Sequence, residues 1–166
     1  CLVGSEMCIR DRGDVGMKLK KLTTDDYLSV VENYRMFDIK SNCVDFGIEE
    51  MRERIRRYYH DFFVISTEED KVFGYAYTYD FRMFDSNCKL KIITTEAIVE
   101  NENMMLAYEL IIKRLFEDYP LNYIYFNRLL DGNNLIEPSK IGFTRAALLQ
   151  EYYYYDGEYI DVEIYA

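Results

Sequence analysis

Residues 140–166 read KIGFTRAALLQEYYYYDGEYIDVEIYA, and the order of features in this stretch decides the fold. Two β-rich runs, Thr144–Tyr155 and Tyr159–Ala166, flank Asp156-Gly157. That dipeptide closes a two-residue hairpin, because its central positions need left-handed backbone angles that Asp tolerates and Gly adopts freely. Gly142 stands just ahead of the first run, where a helix must stop. The helix it ends is predicted over Asn133–Ile141 and is weakened by Pro138.

Moving toward the N-terminus, Asn122–Asn127 (NYIYFN) reads as a short central strand. Asn103–Asp118 (NMMLAYELIIKRLFED) carries an apolar stripe of Met104, Ala107, Tyr108, Ile111, Ile112 and Leu115 at helical spacing, and Pro120 ends it. Lys89–Val99 is β-rich. Val72–Phe81 alternates, with Phe73, Tyr75, Tyr77, Tyr79 and Phe81 on one side and Val72, Gly74, Ala76 and Thr78 on the other. Phe62–Ser66 reads as a buried strand that turns at Glu68-Glu69-Asp70-Lys71. A helix after Gly47 points Ile48, Met51 and Ile55 one way, with Glu49, Glu50 and Glu53 upstream of Arg52, Arg54, Arg56 and Arg57 on a solvated face. An earlier helix begins at Thr23-Thr24-Asp25-Asp26 and runs to about Arg35, after a strand at Met17–Leu22. The order β-α-α-β-β-β-α-β-α-β-β predicts an α/β fold: a mixed sheet of about seven strands with helices on both faces.

The chain has 166 residues, 49% of them hydrophobic and 30% charged, which suits one globular domain rather than a disordered segment. No apolar run is long enough for a membrane-spanning helix. The net charge of −10 disfavours nucleic acid and anionic lipid as partners and favours amines or basic peptides. Residues 1–16 carry no periodicity and no signal-peptide layout, and CLVGSEMCIRD resembles translated adapter read-through. They are expected to be a leader without native structure, with the domain spanning 17–166 from Met17. Cys43 and Cys88 are isolated and His60 is the only histidine, so neither a zinc site nor a Cys–His nucleophile is expected. A reduced, cytoplasmic protein fits this cysteine usage best.

Lys140-Ile141-Gly142-Phe143, the strand after it, and Tyr155-Asp156-Gly157-Glu158-Tyr159-Ile160-Asp161 together resemble the GNAT N-acetyltransferases. The likeness is greatest to the branch that acts on ribosomal-protein N-termini (RimJ/RimL-like) and on polyamines. Asp131-Gly132-Asn133-Asn134 matches the Asn-containing loop that follows the family's fifth strand. The resemblance implies acetyl-CoA as co-substrate, no metal, and a small amine, polyamine or peptide N-terminus as acceptor. It also implies that Ala97, Ile98 and Val99 bind the pantetheine arm, that Asn101, Asn103, Met104 and Met105 bind the diphosphate, and that Asn133 contacts the coenzyme or else caps the following helix.

One departure is large. The family places Arg/Gln-x-x-Gly-x-Gly/Ala before the long helix, so that backbone N–H groups approach the pyrophosphate. Here the stretch reads Glu100-Asn101-Glu102-Asn103-Met104-Met105, without either glycine and with two carboxylates. The proton-donating Tyr that many relatives carry four residues before Gly-Phe is Pro138 here, although RimJ/RimL-like members often lack that Tyr too, so the altered Glu100–Met105 stretch is the departure that counts. A catalytically inactive binding module of the same fold is therefore the alternative to an enzyme.

Among catalytic candidates, Glu96 near the end of the fourth strand is the general base, with a solvated strand-end carboxylate as the structural alternative. Tyr153, within the Tyr152–Tyr155 run, is the ring read toward the acceptor. Tyr75, Tyr77 and Tyr79 would line a cleft for a cation or else pack beneath a helix. The aromatic-rich C-terminal strands are candidates for pairing two copies into a homodimer.

Overall fold

The computed structural model describes residues 6–9, 16–28, 30, 32, 48–95, 101–130, 137–155 and 157–166. The chain divides into two compact units, Cys1–Asp80 with Ile92–Ala97, and Phe81–Lys91 with Ile98–Ala166. Strands β4 (Val72–Arg82) and β5 (Asn87–Thr94) pass from one unit into the other.

In the first unit β1 (Glu6–Ile9), β2 (Met17–Lys21), β3 (Tyr59–Thr67) and β4 are antiparallel neighbours in that order. The strand β1 departs from the expectation for residues 1–16. MKLKK offers an otherwise open sheet edge, and Glu6–Ile9 registers against it with Glu6 opposite Lys20 and Ile9 opposite Met17. The expected strand at Met17–Leu22 is β2, and among the described residues seven strands follow Gly16.

Helix α1 (Ile48–Tyr58) follows the predicted charge layout, with Glu49 and Glu50 in its first turn and Arg56 and Arg57 in its last. It buries Ile55 against a core of Val30, Phe62, Val64, Tyr75 and Tyr77. Residues 27, 28, 30 and 32 are helical, as Thr23–Asp26 predicts, and the expected end of that helix lies outside the described residues. At its start Asp26 Oδ2 accepts from Thr23 N at 2.8 Å and from Thr23 Oγ1 at 2.7 Å, while Asp26 N donates to the Thr23 carbonyl oxygen at 3.1 Å. Gly74 lies so close to β5 that a Cβ there would stand 2.4 Å from the Ile93 carbonyl oxygen.

In the second unit, helix α2 (Asn101–Asp118) buries Met104, Ala107, Tyr108, Leu110, Ile111 and Leu115. Strand β6 (Tyr123–Leu129) returns parallel to β5, registering Asn87 with Tyr123 and Lys89 with Tyr125. From Phe126 onward β6 registers instead on β8 (Glu158–Tyr165), which pairs antiparallel with β7 (Arg145–Tyr155). Tyr155 registers opposite Glu158, which leaves two residues for the turn; Gly157 stands at φ 86°, and Asp156 lies outside the described residues. Of the weak helix predicted over Asn133–Ile141, the described part is a single 3-10 turn, Pro138–Ile141, closed by Gly142 at φ 90°. A proline at its first position permits a turn but blocks continuation from the residue before it. Among the described residues no helix is long and apolar enough to cross a membrane.

Candidate functional site

The first turn of α2 carries the four backbone N–H groups that have no acceptor within the helix, together with the positive end of its dipole. Asn101 opens the helix, Met104 is buried and Asn103 and Met105 are half-buried, so the turn is anchored by apolar contacts. Glu102 is exposed on the same turn. The residues present thus fit a diphosphate through main-chain donors, with Glu102 as the adverse charge. Lower down, Tyr108 is buried edge-on to Phe126 at 5.6 Å and 89°, and burial pushes its hydroxyl pKa up. Glu96, Ala97, Ile98, Val99 and Asn133, all expected at the site, lie outside the described residues.

The tyrosines read as an amine cleft are placed differently from that expectation. Tyr75 and Tyr77 are only 3% and 4% exposed and belong to the first unit's core. The Tyr77 ring lies 5.4 Å from Phe62 and 4.3 Å from Tyr59. Alternation on β4 put these rings on one side correctly, but that side is packed rather than open. Tyr79 is half-buried at the rim of the same cluster, its hydroxyl pKa raised by burial and then by Asp80. Tyr153 lies on β7 opposite Ile160 and is 39% exposed, between the more open Tyr152 and Tyr154.

A group that sequence reasoning missed lies wholly in the second unit. Arg128 at the end of β6 registers opposite Glu163 on β8, while Tyr165 and Arg145 register opposite each other on β8 and β7. Glu163 is 7% exposed and accepts three hydrogen bonds: from Tyr165 Oη at 2.8 Å, Arg145 Nη1 at 2.9 Å and Arg128 Nη1 at 3.4 Å. The Arg145 contact, then that of Tyr165, holds the Glu163 carboxyl below its ordinary range against the opposing effect of burial. Burial alone would lower the Arg128 pKa, yet its contacts with Tyr165, Glu137 and Glu163 leave it raised. Arg128 Nη1 also donates to Glu137 Oε2 at 3.0 Å, whereas its buried Nε has no hydrogen-bond partner. These side chains line an open cavity of about 610 Å³ that Ser139 and Thr144 also border. The available signal was Glu163 itself, a carboxylate between Val162 and Ile164 in a buried strand.

No family model matches the chain, and no curated protein matches it. Solved structures do. Spermidine N-acetyltransferase from Vibrio cholerae in complex with CoA and spermine is similar at 15% identity and a TM-score of 0.77, over 90% of this chain and 93% of that one. The dodecameric form of that enzyme in an intermediate state is similar at 15% identity and 0.75, over 90% and 91%. A candidate acetyltransferase from Acinetobacter baylyi ADP1 is similar at 15% identity and 0.71, over 93% and 92%. The chain has the acyl-CoA N-acyltransferase (GNAT) fold.

Proposed function

We propose that this chain is an N-acetyltransferase that moves the acetyl group of acetyl-CoA onto a cationic primary amine (a small amine, a polyamine or a peptide N-terminus), as in the RimJ/RimL-like and polyamine-acetylating branch. The observation that carries the reading is the fold likeness over nine-tenths of both chains to an enzyme bound to CoA and spermine. The acidic balance of the chain agrees with a cationic acceptor.

Bound acetyl-CoA supplies a thioester carbonyl open to attack by a neutral amine. The chain's own part is to hold it and to move a proton. In this proposal the N–H groups of the first turn of α2, with Asn101, Asn103, Met104 and Met105, hold the diphosphate. Ala97, Ile98 and Val99 lie along the pantetheine arm, and Asn133 contacts the coenzyme or caps the turn after it. The Glu96 carboxylate takes the proton of the acceptor's ammonium group, directly or through water, leaving the nitrogen lone pair free. Tyr153 faces the acceptor. The altered Glu100–Met105 loop is part of the proposal: it keeps main-chain donors and loses the basic side chain. A reduced, cytoplasmic setting fits the buried Cys88. Self-association, known for the dodecameric Vibrio enzyme, would use the exposed rings of β7.

Titration calorimetry with acetyl-CoA, followed by thiol release from acetyl-CoA across di- and polyamines and basic peptides, tests the reading. We expect saturable binding below millimolar concentration, thiol release with at least one cationic amine, and slower release at neutral pH for Glu96→Gln. No heat at millimolar acetyl-CoA would leave the fold as a binding module without this activity.

A further inference from the structure

The second unit contains a cationic pair that neither the acetyl-transfer reading nor the fold assigns. The level of Arg128 along α2 follows from elementary geometry. Phe126 packs edge-on against Tyr108. Arg128 lies two residues further along β6 on the same side of the strand, roughly 6.6 Å onward at a strand's rise per residue. Helix α2 ends at Asp118 and β6 begins at Tyr123, so the two run antiparallel through a short connection. At about 1.5 Å per helical residue the same displacement reaches about four residues back from Tyr108, to Met104 in the first turn. Arg128 is therefore level with the segment that has lost its glycines and its basic residue.

The partners of Arg128 differ in how firmly they are held. Glu163 is buried and saturated by three donors, so it fixes the orientation of both arginines. Glu137 is the looser partner: its side chain is 44% exposed, and its other contact, from Ser139 Oγ, is long at 3.4 Å. Arg145 is 59% exposed and faces the same cavity, and Arg128 Nε has a buried N–H with no acceptor. With Glu137 turned away, the pair keeps one uncompensated positive charge and several unused donors. A phosphate offers more acceptor oxygens and more negative charge than the carboxylate it would replace, and guanidinium groups match it in two-point contacts.

We propose that Arg128 and Arg145 form a phosphate-binding subsite, that Glu137 occupies it in the free protein, and that a phosphate of the acyl-CoA co-substrate displaces Glu137. The co-substrate identity rests on the acetyl-transfer reading above; the subsite itself does not.

The test uses the full chain with two probes, inorganic pyrophosphate and CoA, titrated into wild type and three variants. Both probes should bind about tenfold more weakly to Arg128→Gln and several-fold more weakly to Arg145→Gln. Glu137→Gln should bind both more tightly, because the competing carboxylate is gone, a gain that a purely structural role would not produce. Arg128→Gln leaves Glu163 short of a partner and risks misfolding. The exposed Glu137→Gln and Arg145→Gln then carry the test. Pyrophosphate that fails to bind wild type, or that binds with an affinity untouched by Glu137→Gln and Arg145→Gln, overturns the subsite. If wild type binds acetyl-CoA but none of the three substitutions alters that binding, the subsite falls and the acetyl-transfer reading stands. Arginine-dependent pyrophosphate binding without any acetyl-CoA binding has the opposite meaning.

Discussion

At the scale of single residues, Glu163 is where charge and fold depend on each other most directly. Its carboxyl is held below the ordinary carboxylate range by Arg145, then Tyr165, so the unfolded chain takes up a proton more readily than the folded one. The stabilisation from its contacts is therefore complete above the unfolded value of about 4.3 and is lost as pH falls through the lower folded value. Replacing it by Gln keeps the shape but removes the charge, and should cost about 2 kcal/mol at pH 7 as a lost charge-assisted contact. Thermal melts of wild type and Glu163→Gln should show a stability gap that is constant from pH 7 to 5 and closes toward pH 3. A gap that persists unchanged at pH 3 would mean that its ionisation is not what the three donors stabilise.

At the scale of elements, Gly74 tests how β4 and β5 approach one another. Because the added Cβ would meet a backbone oxygen, no rotamer change can relieve the contact. Gly74→Ala should therefore destabilise the protein by about 2 kcal/mol, typical of overpacking, read as a shift in urea midpoint at unchanged slope. An unshifted midpoint would show that the strands yield freely. This position also marks what sequence could reveal. Alternation on β4, the stripe of α2 and the Asp156-Gly157 turn identified their elements, because each is a periodic or local requirement. The same alternation could not say that the Tyr75 and Tyr77 side is closed over by Ile55 and Val30, since that depends on packing between distant segments. The strand at Glu6–Ile9 escaped for a similar reason: it exists by pairing with β2, and its own four residues carry too short a pattern. The arginine pair escaped because Arg128, Arg145 and Glu163 meet only through the β6–β8–β7 register.

At the scale of the whole molecule, a chain of net charge −10 must take in two reactants of opposite sign under the proposed function. Its field concentrates a polyamine and repels an acyl-CoA, so salt should act on them in opposite directions. Raising ionic strength from about 20 to about 200 mM shortens the screening length from roughly 20 Å to below 10 Å, which removes most of the long-range attraction. The kcat/KM for a triamine should fall several-fold over that range, and that for a monoamine should fall much less, because attraction scales with acceptor charge. The kcat/KM for acetyl-CoA should rise or stay level, the local Arg128–Arg145 pair offsetting part of the repulsion that salt relieves. Steady-state kinetics at fixed pH with a potassium chloride series reads all three. Equal salt responses for the mono- and triamine would show that the acidic surface has no part in acceptor capture, and would leave acceptor choice to contacts inside the site alone.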